Sequence, residues 1–544
     1  MKGQKNIIVV LGLIIVINVL AYWFPVRKDL TADARYTLSE TTESIVESVD
    51  KPLWVKVYLK GDFPLDFKRL GQAVKAHLEE LRAVNKRIKF AFVNPSGMEE
   101  ELIKQGMEPS QLTVEQDGEV SQKLIFPYAL VKMGAKTQVV NLLTPSGDTQ
   151  DDQLQRAIEN IEFAFSDAIS RLLQDKKQSL AVLRSHGTLE DIYLYDFLSG
   201  LKSKYNLAPF TLRPESLNQQ QVLDDLKKYN GLIIAKPTTT FSEDDKYILD
   251  QYIMQGGKAL WMLDYTTASM DSLQRDGSSL IIPRDLNLTD LLFSYGVRVN
   301  HNLVEDLYSS KIALATGNVG GKTQFSNLLW YYFPVILNQN NNPISKNLQP
   351  IRLKFTSTID TLLSPDIVKT PLLQTSKLTR VKGTPLVIDL SEISQKVQPE
   401  HFRSGTQLAG VLLEGQFPSA YAYRTKPFET QHLNKSDAHK MIVIADGDIA
   451  ANQIQGGQPT PLDIDKWTGQ TFGNKEFLLN AVNYLMGDSD LLNIRRKTLD
   501  LTMLNKETLA RQKTLWQWVN VGLPLLILGL FGLVYTLIRR KKYR

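Results

Sequence analysis

Two long apolar runs, one near each end of the chain, restrict what this sequence can fold into more than any other feature. Residues 6–24 read NIIVVLGLIIVINVLAYWF, uncharged and with only Asn6 and Asn18 as strongly polar interruptions. Residues 516–538 read WQWVNVGLPLLILGLFGLVYTLI, with Trp516 and Trp518 at the start and Pro524 inside. A run of about 20 such residues, rising 1.5 Å each, crosses a hydrocarbon core of roughly 30 Å. Tyr22, Trp23, Trp516 and Trp518 stand where aromatic side chains favour the membrane–water boundary.

Charge orients the two runs. Lys2 and Lys5 precede the first, and Arg539, Arg540, Lys541, Lys542 and Arg544 follow the second. Basic flanks stay on the cytoplasmic side, so the expectation is a two-pass inner-membrane protein with both termini cytoplasmic and the bulk periplasmic. A cleaved signal peptide is the rival for the first run. Its apolar segment exceeds the usual 7–15 residues, and the nearest small-x-small site, Ala32-Asp33-Ala34, lies well beyond it.

That orientation explains the charge balance. The formal charge is +5, from 63 basic and 58 acidic residues, and seven of the basic ones are the flanks just named; without them 56 remain against 58. The outer portion is thus near neutral, with no concentrated basic face for nucleic acid. There is no cysteine, which removes disulfides, thiolate metal sites and cysteine nucleophiles together. About 490 residues lie between the spans, room for two or three domains.

The pattern along the outer portion divides it. Residues 26–150 read as a β-α-β unit followed by β-β, a thioredoxin-like order: LWVKVYL, a helix from Leu65, IKFAFVN, a hairpin turning at Asp117-Gly118, then ALVKM and TQVVNLL around Gly134. Ser39 is placed to cap a first helix. Residues 151–178 read as a connecting helix. From 179 to 270, apolar strands (SLAVL, GLIIA, KALWM) alternate with helices, one opened by a Ser242–Asp245 capping pattern, which implies a parallel, doubly wound sheet. Residues 271–436 read as an irregular mixed insertion. Residues 437–490 close the sheet domain with HKMIVIADGD and a helix, 491–515 connect to the membrane, and 516–544 hold the second span and basic tail.

Motifs for chemistry are few. Gly317–Thr323 (GNVGGKT) misses the phosphate-loop pattern GxxxxGK[ST], because Thr316 stands six before Lys322, and it reads as a glycine-rich loop. The six histidines have no zinc-like spacing, and GxSxG is absent, so no metal, cofactor or catalytic residue is assigned. The candidate site is a ligand or partner rim at strand carboxyl ends, where open α/β sheets bind ligands: Ser185, His186 and Glu190 after the first sheet strand, Asp446 and Asp448 after a later one. The alternative is that these residues only end strands and start helices.

One resemblance covers most of the chain. DLTADARYTLSETT directly after the first span, VYLKGDFP, SHGTLED, GLIIAKPTTTFSEDDKYILDQYIMQGGKALWMLD and VIADGD resemble the gliding-motility-associated ABC transporter substrate-binding or auxiliary protein G (GldG) family of Bacteroidetes. The resemblance implies a partner permease (the F-type gliding-motility protein), a cytoplasmic ATPase, and a role in gliding or in surface-protein secretion through envelope partners. The sheet domain is also similar to class I glutamine amidotransferases, a flavodoxin-like layout, but without their nucleophilic cysteine. Where that family commonly has Gly-His-Gly-Glu, this chain has Ser185-His186-Gly187-Thr188. The expectation is therefore a non-enzymatic auxiliary subunit of an ABC-type complex. A membrane-tethered solute receptor and an envelope hydrolase are the alternatives.

Overall fold

The computed structural model describes residues 37–487 except 62, 64, 108, 117–118, 144–149, 175–176, 214–216, 320–321, 338–341, 347 and 395–397, and further describes 12–13, 491, 494 and 506–542. The first apolar run lies outside the described residues apart from Gly12 and Leu13, and with it the two-span reading. Two compact units result, Met1–Thr498 and Leu499–Arg544.

The N-terminal part of the larger unit opens with α1 (Glu40–Glu47), where the Ser39 side chain accepts from the Thr42 amide. β1 (Leu53–Val57) alternates, with Leu53, Val55 and Val57 buried and Trp54 and Lys56 facing water. α2 (Leu65–Val84) follows, then β2 (Ile88–Phe92), β3 (Tyr128–Met133) and β4 (Lys136–Asn141). The sheet order is β2-β1-β3-β4, parallel between β1 and β2 and antiparallel elsewhere. The strands Ser110–Gln116 and Glu119–Ile125 pair separately as an antiparallel hairpin.

Helical periodicity decides what covers this sheet. Leu70, Val74, Leu78 and Leu81 form one buried stripe of α2. The second cover is α3 (Gln150–Leu173), whose Leu154, Ala157, Ile161, Phe165, Ala168 and Leu172 enter the same core. So the stretch read as a connecting helix is a core element of this domain. Glu162 on α3 takes the Ser39 amide (2.7 Å) and the Thr42 hydroxyl (2.9 Å), tying α1 to it. Asp167, against burial, is held below the usual carboxylate range by Arg171 and Lys204, the latter from the following domain.

That second domain contains β5 (Ser179–Leu183), α4 (Asp191–Lys202), β6 (Asn206–Phe210), α5 (Gln219–Leu226), β7 (Gly231–Ala235), α6 (Glu243–Met254), β8 (Lys258–Met262), β9 (Ile367–Gln374), β10 (Leu408–Pro418), β11 (Lys435–Ile444) and α7 (Asn474–Met486). The seven strands lie in the order β9-β10-β11-β8-β7-β5-β6. From β11 to β6 all pairs are parallel, and β10 and β9 extend the edge antiparallel. α5 and α6 pack on one face and α4 and α7 on the other, which is why the parallel strands are apolar throughout rather than alternating.

The stretch 271–436 is not wholly an insertion beside this sheet, although most of its strands pair in separate smaller sheets. It supplies β9 and β10, and β11 already begins at Lys435. The strand pattern is weak here because β9 is an edge strand broken by Pro371 and by register shifts, the devices that blunt an edge. Residues 317–319 and 322–323 lie in the paired strands Ser309–Val319 and Lys322–Ile336, and 320–321 lie outside the described residues. A strand, not a helix, follows the glycines, so no phosphate-binding helix terminus exists there.

The smaller unit consists of α8 (Lys506–Lys542). Within it Thr514–Lys541, 28 residues, is the one described helix long and apolar enough to cross a membrane. Exposed Leu525, Leu526, Ile527 and Leu528, each turned about 100° from the last, leave it apolar around its circumference. The Thr536 hydroxyl is satisfied by the carbonyl oxygens of Gly532 and Leu533, so the helix carries no unmet side-chain polarity there.

Candidate functional site

In sequence terms the parallel strands run 2-1-3-4-5 across the sheet, so the direction of winding reverses between β5 and β7. The loops after those two strands flank the position where a doubly wound sheet holds ligands. Ser185 and His186 sit in the first loop and Lys236 opens the second.

These two loops are joined to each other. The amides of Thr238 and Thr239 donate to the His186 carbonyl at 2.8 and 3.2 Å, and the Thr238 hydroxyl donates to the Gly187 carbonyl at 3.0 Å. His186 and Gly187 both take left-handed backbone (φ 65° and 62°) to make the turn. A Cβ on Gly187 would lie 2.1 Å from the Thr238 hydroxyl oxygen, so glycine is required for the loops to meet.

The His186 ring is buried and stacks on Phe241 at 3.9 Å between centroids. Its Nε2 lies 3.2 Å from Asp245 Oδ2 and its Nδ1 2.9 Å from Ser185 Oγ. The three groups stand in the order of a nucleophilic relay, but each is otherwise engaged. Ser185 Oγ accepts from the Leu212 amide at 3.2 Å. Asp245 accepts from the Ser242 amide and hydroxyl in a capping box and from Arg213. Burial pushes the Asp245 carboxyl up, yet the bonds from His186, Arg213 and Ser242 prevail and hold it well below the usual range. The cavity of about 270 Å³ against Asp245 and Arg213 is not lined by Ser185 or His186. The arrangement locks the start of α6 to the first loop. Glu190, on the surface, only begins α4, its carbonyl accepting from Tyr193 and Leu194.

The other half of the predicted rim is a buried charge cluster. Lys236, itself at φ 50°, places Nζ 2.6 Å from Asp448 and 3.4 Å from Asp264. Asp446 is fully buried and accepts from the backbone amides of Lys354 and Asp448, both at 2.7 Å. Burial raises the Asp446 carboxyl well above its ordinary value, and neighbouring Asp264 and Asp448 add to the rise. Burial raises Asp264 as well, against the pull of Lys236. Lys354 is lowered to about 8, chiefly by burial and then by Arg352.

Over this cluster runs the segment 351–357. Besides the Lys354 amide, the Ser357 amide and Thr356 hydroxyl donate to the Ala445 carbonyl at 3.0 and 2.8 Å, while Leu353 and Phe355 are tied to Pro334 and Tyr332. The end of β11 is thus covered from within the chain. The structure brings Asp446 and Asp448 together but joins neither to His186 or Glu190 by any hydrogen bond or ion pair among the described residues. Lys236, Asp264 and Lys354 were missed in the sequence. The first two were visible as charges directly following buried strands (GLIIAK, WMLD); Lys354 carried no such signal, because only tertiary packing brings it there.

Close packing makes a sharp prediction here. A Cβ on Gly447 would meet Lys236 Cγ at 2.7 Å and Asp264 Cγ at 3.0 Å, and Lys236 is held by its ion pairs. Gly447→Ala should therefore destabilise the domain by about 1–3 kcal/mol. The thermal midpoint of the purified protein is the measurement; an unchanged midpoint would mean the cluster is looser than described.

Comparison with known proteins gives a coarse identity. Residues 32–132 match a domain of unknown function (DUF7088). An uncharacterized protein of Borreliella burgdorferi is 22% identical over 525 residues, covering 94% of this chain and 93% of the relative. Among solved structures, the mmIFT52 N-terminal domain aligns at 13% identity over 57% of this chain and 98% of its own, with a TM-score of 0.31, too low to mark a shared fold. Residues 177–481 of the 544, the doubly wound domain up to the middle of α7, match the family described as ABC-type uncharacterized transport system. The chain belongs to that family, as an auxiliary component of an ABC-type transport system.

Proposed function

We propose that this chain is a non-enzymatic auxiliary subunit that works beside a separate permease and a cytoplasmic ATPase, with its domains on the periplasmic side of the inner membrane. The observation that carries the reading is the family match across the sheet domain in a chain that also has an apolar helix of spanning length with a basic tail. Basic residues after Ile538 favour a cytoplasmic C-terminus. The run at 6–24 would supply a second span and hold the subunit at both ends.

The geometry of the strand ends supports a mechanical role over a catalytic one. The two switch-point loops bond to each other, Asp446 is covered by 351–357, and the charges of Lys236, Asp264 and Asp448 are spent on one another. Such a domain is suited to transmit movement from a permease to envelope partners. The resemblance to the gliding-motility G protein names the F-type permease as partner and gliding or surface-protein secretion as the process.

Gentle solubilisation of the tagged protein from its native membrane tests this. A permease and an ATPase should copurify in fixed ratio. Recovery of the chain alone in several mild detergents would remove the transporter-subunit reading and leave the tethered receptor to be tested by ligand-dependent thermal shifts.

A further inference from the structure

We propose that a second, unassigned site binds an amphipathic anion, an apolar chain ending in a carboxylate or phosphate, in a cavity between the edge strand β9 and the end of the strand Lys322–Ile336. The cavity measures about 440 Å³, within the roughly 300–1,000 Å³ of small-molecule pockets. None of its described lining residues belongs to the strand-end cluster, and the proposal is independent of the transporter reading.

Its floor is aliphatic. Val335, Ile336 and Leu372 line it, Ile336 and Leu372 buried. Tyr308 and Leu337 stand at the wall with about half of their surfaces still exposed, 53% and 48%. Large apolar side chains so placed around a hollow are surface that an apolar ligand would remove from water.

The mouth is polar and of one sign. Gln374 and Lys377 line it, and neither side chain has a hydrogen-bond or ion-pair partner among the described residues. Among the described residues of the lining Lys377 is the single charged one, and none is a carboxylate. An ammonium beside a free amide favours an anionic head over a cationic one.

The walls are preorganised, which lowers the ordering cost of binding. The buried Asp306 carboxylate accepts from the amides of Tyr308 and Ser376, both at 2.8 Å, and from the Ser376 hydroxyl at 2.6 Å, pinning two loops that form the rim. The Val335 amide donates to the Tyr308 carbonyl at 2.9 Å, and Thr375 and Gln407 are bonded in both directions at 3.0 and 2.8 Å. Asp306 thus holds the site open without facing into it.

Hydrogen exchange of the full-length protein in zwitterionic nanodiscs, with octanoate, octyl phosphate or octylamine added, reads the site directly. Octanoate or octyl phosphate should protect the amides of 335–337 and 374–377, and octylamine should not. Lys377→Glu, a surface change compatible with folding, should weaken octanoate about five- to tenfold; Gln374→Trp should block the mouth and abolish protection. If nanodiscs containing phosphatidylglycerol protect the same amides without added octanoate, the source of the anion is the membrane; if only octanoate does, it is a soluble acid. Equal protection by octylamine, or none by any probe, overturns the proposal.

Discussion

Replacing Asp250 by alanine should lower the unfolding midpoint of the protein by on the order of 10 °C, because four donors lose one buried acceptor. Asp250 is on α6, a helix whose residues from Asp245 to Met254 are all buried. Its Oδ1 accepts from the Tyr295 hydroxyl and the Ala420 amide, both at 2.9 Å. Its Oδ2 accepts from the Ser419 hydroxyl at 2.6 Å and from Gln251 at 2.9 Å. These bonds fasten the loop after β10 over the helix. Truncation strands the partners in a place water does not reach, a cost of about 3–5 kcal/mol, and each kcal/mol moves the midpoint of a domain this size by roughly 2–4 °C. Asp250→Asn should cost less, since one oxygen and a rotatable Ser419 hydroxyl preserve part of the set. Equal midpoints for alanine and wild type in thermal unfolding would show that the loop is held by something else.

The second large effect is a loss of stability in acid centred on His439. This residue is in β11, buried and packed edge-on against Phe417 at 4.7 Å. Burial lowers its pKa from 6.5 to about 4, despite nearby backbone groups that pull it up. The folded protein therefore binds fewer protons than the unfolded chain between those values. Stability from the neutral ring is complete above pH 6.5 and is lost as the pH falls toward 4, roughly 3 kcal/mol across the window. Midpoints measured from pH 7 down to pH 4.5 should fall more steeply for the wild type than for His439→Leu. Parallel slopes would mean that the ring is hydrated or paired in the folded state.

These two residues show where the sequence was and was not readable. His439 stood in a strand that was located correctly from its apolar run, but nothing in HKMIVIADGD told that the histidine points into the core. Asp250 lies four residues from a helix end in a pattern with three neighbouring acids, where the ordinary expectation is a solvated face. It is buried because a loop more than 160 residues later in the chain folds over it. The partners of the predicted rim were hidden for the same kind of reason. Ser185, His186, Asp446 and Asp448 do end strands of one sheet, as read, and the partners that close them, Asp245, Lys236 and the 351–357 segment, come from other parts of the chain.

Local physics was legible. The Ser39 and Ser242 caps, the pairing of the strands Ser110–Gln116 and Glu119–Ile125, the apolar parallel strands and the 28-residue apolar helix follow from side-chain period, capping chemistry and hydrocarbon length, all properties of neighbours in sequence. By contrast, β9 and β10 joined the sheet through pairing with β11, not through a strong pattern of their own, and α3 became core because its apolar stripe met a sheet made by residues 53–141. The sequence alone determined most of the helices, the parallel strands and the apolar C-terminal helix, since backbone and solvent dictate those locally. Only the tertiary structure decided which charges are buried against each other, because that depends on contacts between segments that no local pattern encodes.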